Sequence, residues 1–348
     1  MKVLFVYSYL TLGGVETVLR ARLDGLARWG IEAHAWFFHD LGGRSVFAGR
    51  EERIHVGDAA ACLRFAAQQG FNLLSSIDTP EAFFARAERP MRLIVECHSP
   101  YLENIEYLRS LAPLEPAAVF VPSEYQRRVV LERTGPGVDV RVVPNPLRQE
   151  FTGEPAPFAA RPPRPVVAWI GRLDGLKNWQ GFVELGGALL RRGVEAELWI
   201  AGKPVEPEVA LELRDRAGAA GILGRLRWFR GLPHHRVPAL LDAVRDSGGV
   251  LVSTSNGESF GMTVAEAMAR QCPVAVPDRP PFTEFVADGV CGLCFPPGSA
   301  EGAADRVQAL LADAALRGRC GRRGRESVLA RFAPEPALAA LAGELRAL

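Results

Sequence analysis

Gly249-Val-Leu-Val-Ser-Thr-Ser-Asn-Gly-Glu-Ser-Phe-Gly-Met-Thr-Val-Ala-Glu-Ala-Met-Ala269 reads as a strand, a loop and a helix in succession. The run Gly249–Ser253 has the length and β-branched content of a short strand, and good helix formers follow from about Gly261. That order is the repeating unit of a parallel sheet, whose ligands sit at the carboxyl ends of the strands. Two carboxylates fall at this junction. Glu258 lies in the loop, and Glu266 lies further along the helix among Val264, Ala265, Ala267 and Met268. A carboxylate in apolar surroundings is costly unless it is paired, so Glu266 must have a partner. Ser259, Phe260, Gly261, Met262 and Thr263 span the helix start, where backbone N–H groups face an anion. Because a carboxylate accepts two hydroxyl hydrogens at once, it also suits a vicinal diol. The pattern describes a cradle for a sugar nucleotide. The alternative is a solvated Glu258 and a Glu266 salt-bridged to a core arginine.

Strands alternating with helix-length segments extend outward from this stretch in both directions. Val166–Ile170, Glu197–Ala201, Arg227–Phe229 and Pro273–Val276 join it in the second half. Val3–Tyr7, Ala33–Phe37, Leu73–Ser76, Leu93–Glu96, Val119–Val121 and Val140–Val143 make up the first. Between them, prolines crowd the chain from Pro146 to Pro165 and exclude a helix or central strand. The expected fold is α/β: two Rossmann-like doubly wound domains, residues 1–150 and 166–333, joined by a linker over 151–165 and facing across a cleft. Pro334 to Leu348 reads as an amphipathic helix that returns to the first domain.

Cations mark the matching junction of the second domain, Trp169-Ile-Gly-Arg-Leu-Asp-Gly-Leu-Lys-Asn178. Arg172 and Lys177 there suit a diphosphate, the first through a planar fork and the second as a point charge. An ion pair between Arg172 and Asp174 is the plainer alternative. In the first domain, Ser8-Tyr-Leu-Thr-Leu-Gly-Gly-Val-Glu16 places Gly13 and Gly14 at a strand-to-helix turn, where backbone can approach an anion. The dinucleotide fingerprint, which needs three spaced glycines and a later acidic residue, is absent.

Lys+Arg 41 against Asp+Glu 40 leaves no net field to draw the chain to nucleic acid. No apolar run approaches the length of a membrane span, and the apolar start is too short for a secretion signal. The six cysteines are scattered, which points to a cytoplasmic protein without disulfides, and Cys291-Gly-Leu-Cys294 lacks the second pair that a metal site needs. Arginines from Arg317 to Arg331 read as a solvated helix face, with at most peripheral contact to the inner face of a membrane.

Taken together, Gly13-Gly-Val-Glu16, His98, Pro144-Asn-Pro146, Gly171-Arg-Leu173 with Lys177-Asn178, Ile200-Ala-Gly202, Arg230-Gly231, and Glu258-Ser-Phe-Gly261 with Glu266-Ala-Met-Ala269 resemble the retaining GT-B-fold glycosyltransferases of family 4, the glycosyl transferases group 1. The resemblance covers nearly the whole chain. It implies that Gly14, Arg172 and Lys177 bind a donor diphosphate and that Glu266 holds ribose hydroxyls. Glu258 would bind the donor sugar, and His98 would sit beside it. The implied catalytic set is Glu258, Arg172, Lys177 and His98, with no cofactor beyond the nucleotide-sugar donor. Two stretches depart from the family: Gln271 replaces a glycine in Ala269-Arg-Gln-Cys-Pro273, and Asp278-Arg-Pro-Pro-Phe-Thr-Glu284 carries two prolines in place of a glycine.

No Asp-x-Asp occurs, so leaving-group charge would fall to Arg172, Lys177 and helix N-termini, and transfer is expected to be metal-independent. The turn Arg230-Gly-Leu-Pro-His-His-Arg236 would meet the base. It carries no carboxylate for guanine, whereas the backbone of Leu232 matches uracil or thymine, with His234 or His235 stacking or capping beside it. The sequence does not name the acceptor; a saccharide, a lipid-linked sugar and a natural-product aglycone are the candidates. A nucleotide-sugar epimerase and a non-catalytic sugar-nucleotide-binding protein are the competing readings.

Overall fold

A computed structural model of the chain describes residues 1–83, 91–135, 137–158 and 161–348. The chain divides into two compact units, Met1–Gln149 with Arg331–Leu348, and Glu150–Ala330. The first holds a seven-stranded sheet: β1 (Lys2–Leu10), β2 (Glu32–Asp40), β3 (Ile54–Val56), β4 (Leu73–Ile77), β5 (Arg92–Glu96), β6 (Ala118–Val121) and β7 (Val140–Val142). Its order is β3-β2-β1-β4-β5-β6-β7, and every pairing is parallel. Val3, Leu4, Phe5 and Val6 of β1 are all fully buried, as expected of a central parallel strand covered on both faces. The covering helices include α1 (Gly14–Gly25), α2 (Ala59–Gln68) and α3 (Glu124–Thr134).

The second unit repeats the plan with six strands: β8 (Val166–Ile170), β9 (Glu197–Ala201), β10 (Leu226–Phe229), β11 (Val250–Val252), β12 (Val274–Pro277) and β13 (Leu293–Phe295). They run parallel in the order β10-β9-β8-β11-β12-β13. Its helices are α4 (Trp179–Arg191), α5 (Pro207–Ala219), α6 (Val237–Asp246), α7 (Met262–Ala269), α8 (Ala300–Ala312) and most of α9 (Ala314–Phe332). The last helix, α10 (Pro334–Arg346), buries Leu338, Leu341, Ala342 and Leu345 in the core of the first unit.

Three features depart from the sequence reading. Residues 151–158, read as part of a linker, pack within the second unit, as does Glu150, read as the end of the first domain: Arg270 donates to the Gly153 carbonyl, and the Phe158 N–H donates to Asp246. Residues 159 and 160 of that segment lie outside the described residues. The arginines of α9 are not all a solvated face, since buried Arg325 donates to the carbonyls of Ala269 and Thr152 and so ties three segments together. Finally, β3 was not foreseen, because three residues carry no periodicity. It forms by pairing with β2, which puts Ala35 opposite Ile54 and Trp36 opposite His55.

Around β3 the imidazoles of His34 and His55 meet at 3.0 Å, Nδ1 to Nε2, and the Phe65 ring lies 4.1 Å from that of His55. Burial, with His34 beside it, pulls His55 down to about 4 from 6.5. The unfolded chain therefore takes up this proton before the folded chain does. Stability contributed here is complete above pH 6.5 and falls as pH drops through the window between the two values. His55→Phe keeps the ring packing and removes the proton site. Its unfolding midpoint should accordingly fall less than the parent's between about pH 7 and about pH 4.5; parallel curves would show that His55 is not the titrating group.

Candidate functional site

In the second unit the loops after β8 and β11 are knitted together before they present any chemistry. Asn178 adopts a left-handed backbone (φ +53°), caps α4 by accepting the Gly181 N–H, and donates to the Thr254 carbonyl at 3.0 Å. Thr254 returns a hydrogen bond to the Asn178 carbonyl and accepts one from the Trp169 indole. On this base Lys177 Nζ reaches Glu258 Oε1 at 2.6 Å, and the Ser255 hydroxyl donates to the same oxygen at 3.0 Å. The two residues assigned to phosphate and to sugar are therefore ion-paired with each other across the loops. Arg172 forms the alternative contact, an ion pair with Asp174 at 3.4 Å, but its side chain is 59% exposed and the pair is correspondingly weak.

Gly261 (φ +95°) opens α7, and a Cβ there would lie 2.8 Å from the Phe282 ring, so only glycine fits. Met262 and Thr263 follow at the helix start, where backbone N–H groups have no intrahelical acceptor. Phe260 is a core residue stacked on Phe285, so only its backbone can face a ligand. Glu266 is buried on α7, and its partner is not an arginine: Oε1 lies 3.2 Å from His234 Nε2. Leu232 is partly buried in the turn after β10.

The first unit carries Gly13, Gly14 and His98 at the carboxyl end of its sheet. Gly13 caps α1, and a Cβ on it would meet the buried Glu16 carboxylate, which accepts from the Thr11 backbone and hydroxyl. A Cβ on Gly14 would meet nothing within 4 Å, so its glycine answers no demand of local packing. His98 follows β5 and is buried, with Nε2 2.9 Å from Glu96 Oε2. Glu96 also takes a fork from Arg22 at 2.7 and 2.8 Å and a hydrogen bond from Ser75 at 2.6 Å. Burial alone would raise the Glu96 pKa, but Arg22 and His98 hold it far below the ordinary carboxylate range. An ionised carboxylate only accepts, so His98 Nε2 carries the proton. Asp78, at φ +44°, accepts the His98 backbone N–H, and burial pushes it up to about 6.

Among the described residues no group of three or more His, Cys, Asp or Glu side chains could hold a metal ion, and no helix is long and apolar enough to cross a membrane. The six cysteines are free and buried.

The family model for glycosyl transferases group 1 matches residues 152–327, just over half of the chain. The chain belongs to this family. A kanosaminyltransferase from Streptomyces kanamyceticus is 28% identical over 184 residues, which are 53% of this chain and 46% of that protein. The D-inositol 3-phosphate glycosyltransferase of Nocardia farcinica is 27% identical over 291 residues, 81% of this chain and 58% of that protein. The chain thus spans less than two thirds of the length of these curated relatives. Anabaena HepE, solved in complex with UDP-glucose, superposes with a TM-score of 0.84 at 18% identity over the full length of both chains. The architecture is therefore that of two parallel-sheet Rossmann-like domains.

One departure from the group 1 glycosyltransferase pattern has a structural consequence. Gln271, where the pattern has glycine, adopts φ +57° just past α7, in the αL position that ends a helix. Its backbone N–H and that of Cys272 close the helix by donating to Met268 and Ala267. Gln271→Gly removes left-handed strain and adds unfolded-state entropy, for a net gain of about 0.5–1 kcal/mol. A urea midpoint that stays put or falls would show that this backbone is not strained. Sequence reasoning missed Glu96, Arg22, Asp78 and the His234 contact. Only Glu96 left a signal, since residues two apart at a strand end, such as Glu96 and His98, share a face.

Proposed function

We propose that the chain is a retaining glycosyltransferase that moves a sugar from a nucleoside-diphosphate sugar to an acceptor hydroxyl without a metal, and that it favours UDP or dTDP over GDP donors. The observation that carries this reading is the Lys177–Glu258 pair beside the open start of α7, with Glu266 four residues into the same helix. Lys177 has three N–H donors, of which Glu258 takes one. The others, with Arg172 and the α7 amides, would stabilise charge on the departing diphosphate as the anomeric bond breaks. Glu258, fixed by Ser255, would hold the donor-sugar hydroxyls. Gly14 would approach the diphosphate, and His98, held by Glu96, would offer its remaining ring nitrogen to the transferred sugar. The departing phosphate oxygen would take the acceptor proton, which gives retention. UDP and UDP-glucose in the HepE structures, and the transferase names of the relatives, support the class. The acceptor is of the saccharide, lipid-linked sugar or natural-product class.

Calorimetry of the intact chain with UDP, dTDP and GDP, with and without EDTA, tests the donor half of this reading. UDP or dTDP should bind at least about tenfold more tightly than GDP, about 1.4 kcal/mol, with no effect of the chelator. Tighter GDP binding, or binding that needs restored Mg²⁺, would overturn it. Incubation with donor alone separates the classes: a transferase releases nucleoside diphosphate slowly, whereas an epimerase yields a new sugar nucleotide.

A further inference from the structure

Glu266 is buried with its two oxygens in different states. Oε1 meets His234 at 3.2 Å, while among the described residues no hydrogen bond is made to Oε2. His234 lies at the head of the short 3-10 turn His234–Arg236, which follows β10, and its ring centroid is 5.3 Å from that of Phe151 at a 58° tilt. Phe151 is fully buried, so the imidazole is braced by the core on one side and directed at the carboxylate on the other. Since a carboxylate only accepts, the proton is on Nε2 and the bond runs from His234 to Glu266.

A cis-diol must find both carboxylate oxygens at the right tilt simultaneously, and a free carboxylate would lose rotational freedom to provide it. One fixed hydrogen bond at Oε1 sets that tilt in advance. It leaves Oε2 and the second lone pair of Oε1 for two hydroxyls.

Resting on the reading of this unit as a nucleoside-diphosphate site, we infer that His234 is a positioning residue. It orients Glu266 to accept the 2′- and 3′-hydroxyls of a ribose together, and so makes the site select ribonucleoside over 2′-deoxyribonucleoside diphosphates. Of the two donor classes grouped above, this favours UDP over dTDP.

The test is calorimetry of UDP and 2′-deoxy-UDP on the intact chain and on His234→Ala, His234→Phe and Glu266→Gln variants. The parent should prefer UDP about tenfold. Both His234 variants should lose UDP affinity by about tenfold, the lower end of what is lost when the partner that orients a metal-ligating side chain is removed, and lose little for 2′-deoxy-UDP. His234→Phe keeps a ring against Phe151 and carries the test if the alanine variant unfolds. Equal losses for both nucleotides, or no loss for either, would overturn the role of His234. Glu266→Gln separates the two levels of the argument. If it binds UDP like the parent, the ribose assignment itself fails; if it loses UDP while the His234 variants do not, only the positioning role fails.

Discussion

Lys177→Ala and Glu258→Ala should each lower sugar transfer by about 10²–10³ at saturating donor, the usual cost of removing one preorganised contact to developing charge. The pair is held at 2.6 Å by loops after two different strands, so its loss leaves the sheet and helices of the second unit intact. Both side chains are largely but not wholly buried, at 22% and 12% exposed, which leaves Lys177 with donors to spare for a diphosphate. Because the two act as one unit, the double variant should be scarcely worse than either single one. Circular dichroism should be unchanged while turnover collapses. A single variant with parental turnover would remove that residue from the reacting centre. Losses that multiply in the double variant would mean that the two residues act independently.

Arg22→Ala should destabilise the first unit by about 3–5 kcal/mol, as much as truncating a core aromatic. Arg22 on α1 and Glu96 at the end of β5 are each about 1% exposed and joined by two hydrogen bonds, so truncation strands a buried carboxylate. The pH signature is specific. In the parent, Glu96 is held ionised, and its contribution is complete above the ordinary carboxylate range and is lost progressively as pH falls from that range toward the depressed folded value. Without Arg22, burial raises the Glu96 pKa, the folded state takes up the proton first, and stability increases as pH falls. The deficit in the urea midpoint should therefore be smaller at about pH 4.5 than at about pH 7.5. A pH-independent deficit would assign the loss to packing against Phe5, whose ring lies 4.9 Å from the guanidinium, rather than to the stranded charge.

Much of this architecture was legible because parallel sheets write themselves into local sequence. Buried strands such as Val166–Ile170 are continuous apolar runs, and the loop that follows each one must change character to receive a ligand. β3 was not legible, because Ile54–Val56 is a strand only by virtue of its neighbour β2. Residues 151–158 read as part of a linker because proline excludes regular structure, yet irregular backbone packs well when arginines reach its carbonyls, as Arg270 does at Gly153.

The sequence by itself determined the alternation of strand and helix, the glycine at Gly261 that opens α7, and the residue types at the two junctions: carboxylates at 258 and 266, cations at 172 and 177. It also required a partner for Glu266 without naming it. Only the tertiary structure decided the partners: His234 for Glu266 across 32 residues, Lys177 for Glu258 across 81, and Arg22 for Glu96 across 74. The reason is physical. Periodicity and turn chemistry act over a few residues, whereas which loop ends meet depends on the order in which strands cross over within each sheet, here β9-β8-β11 and β1-β4-β5, and on the core packing that fixes each side chain's direction.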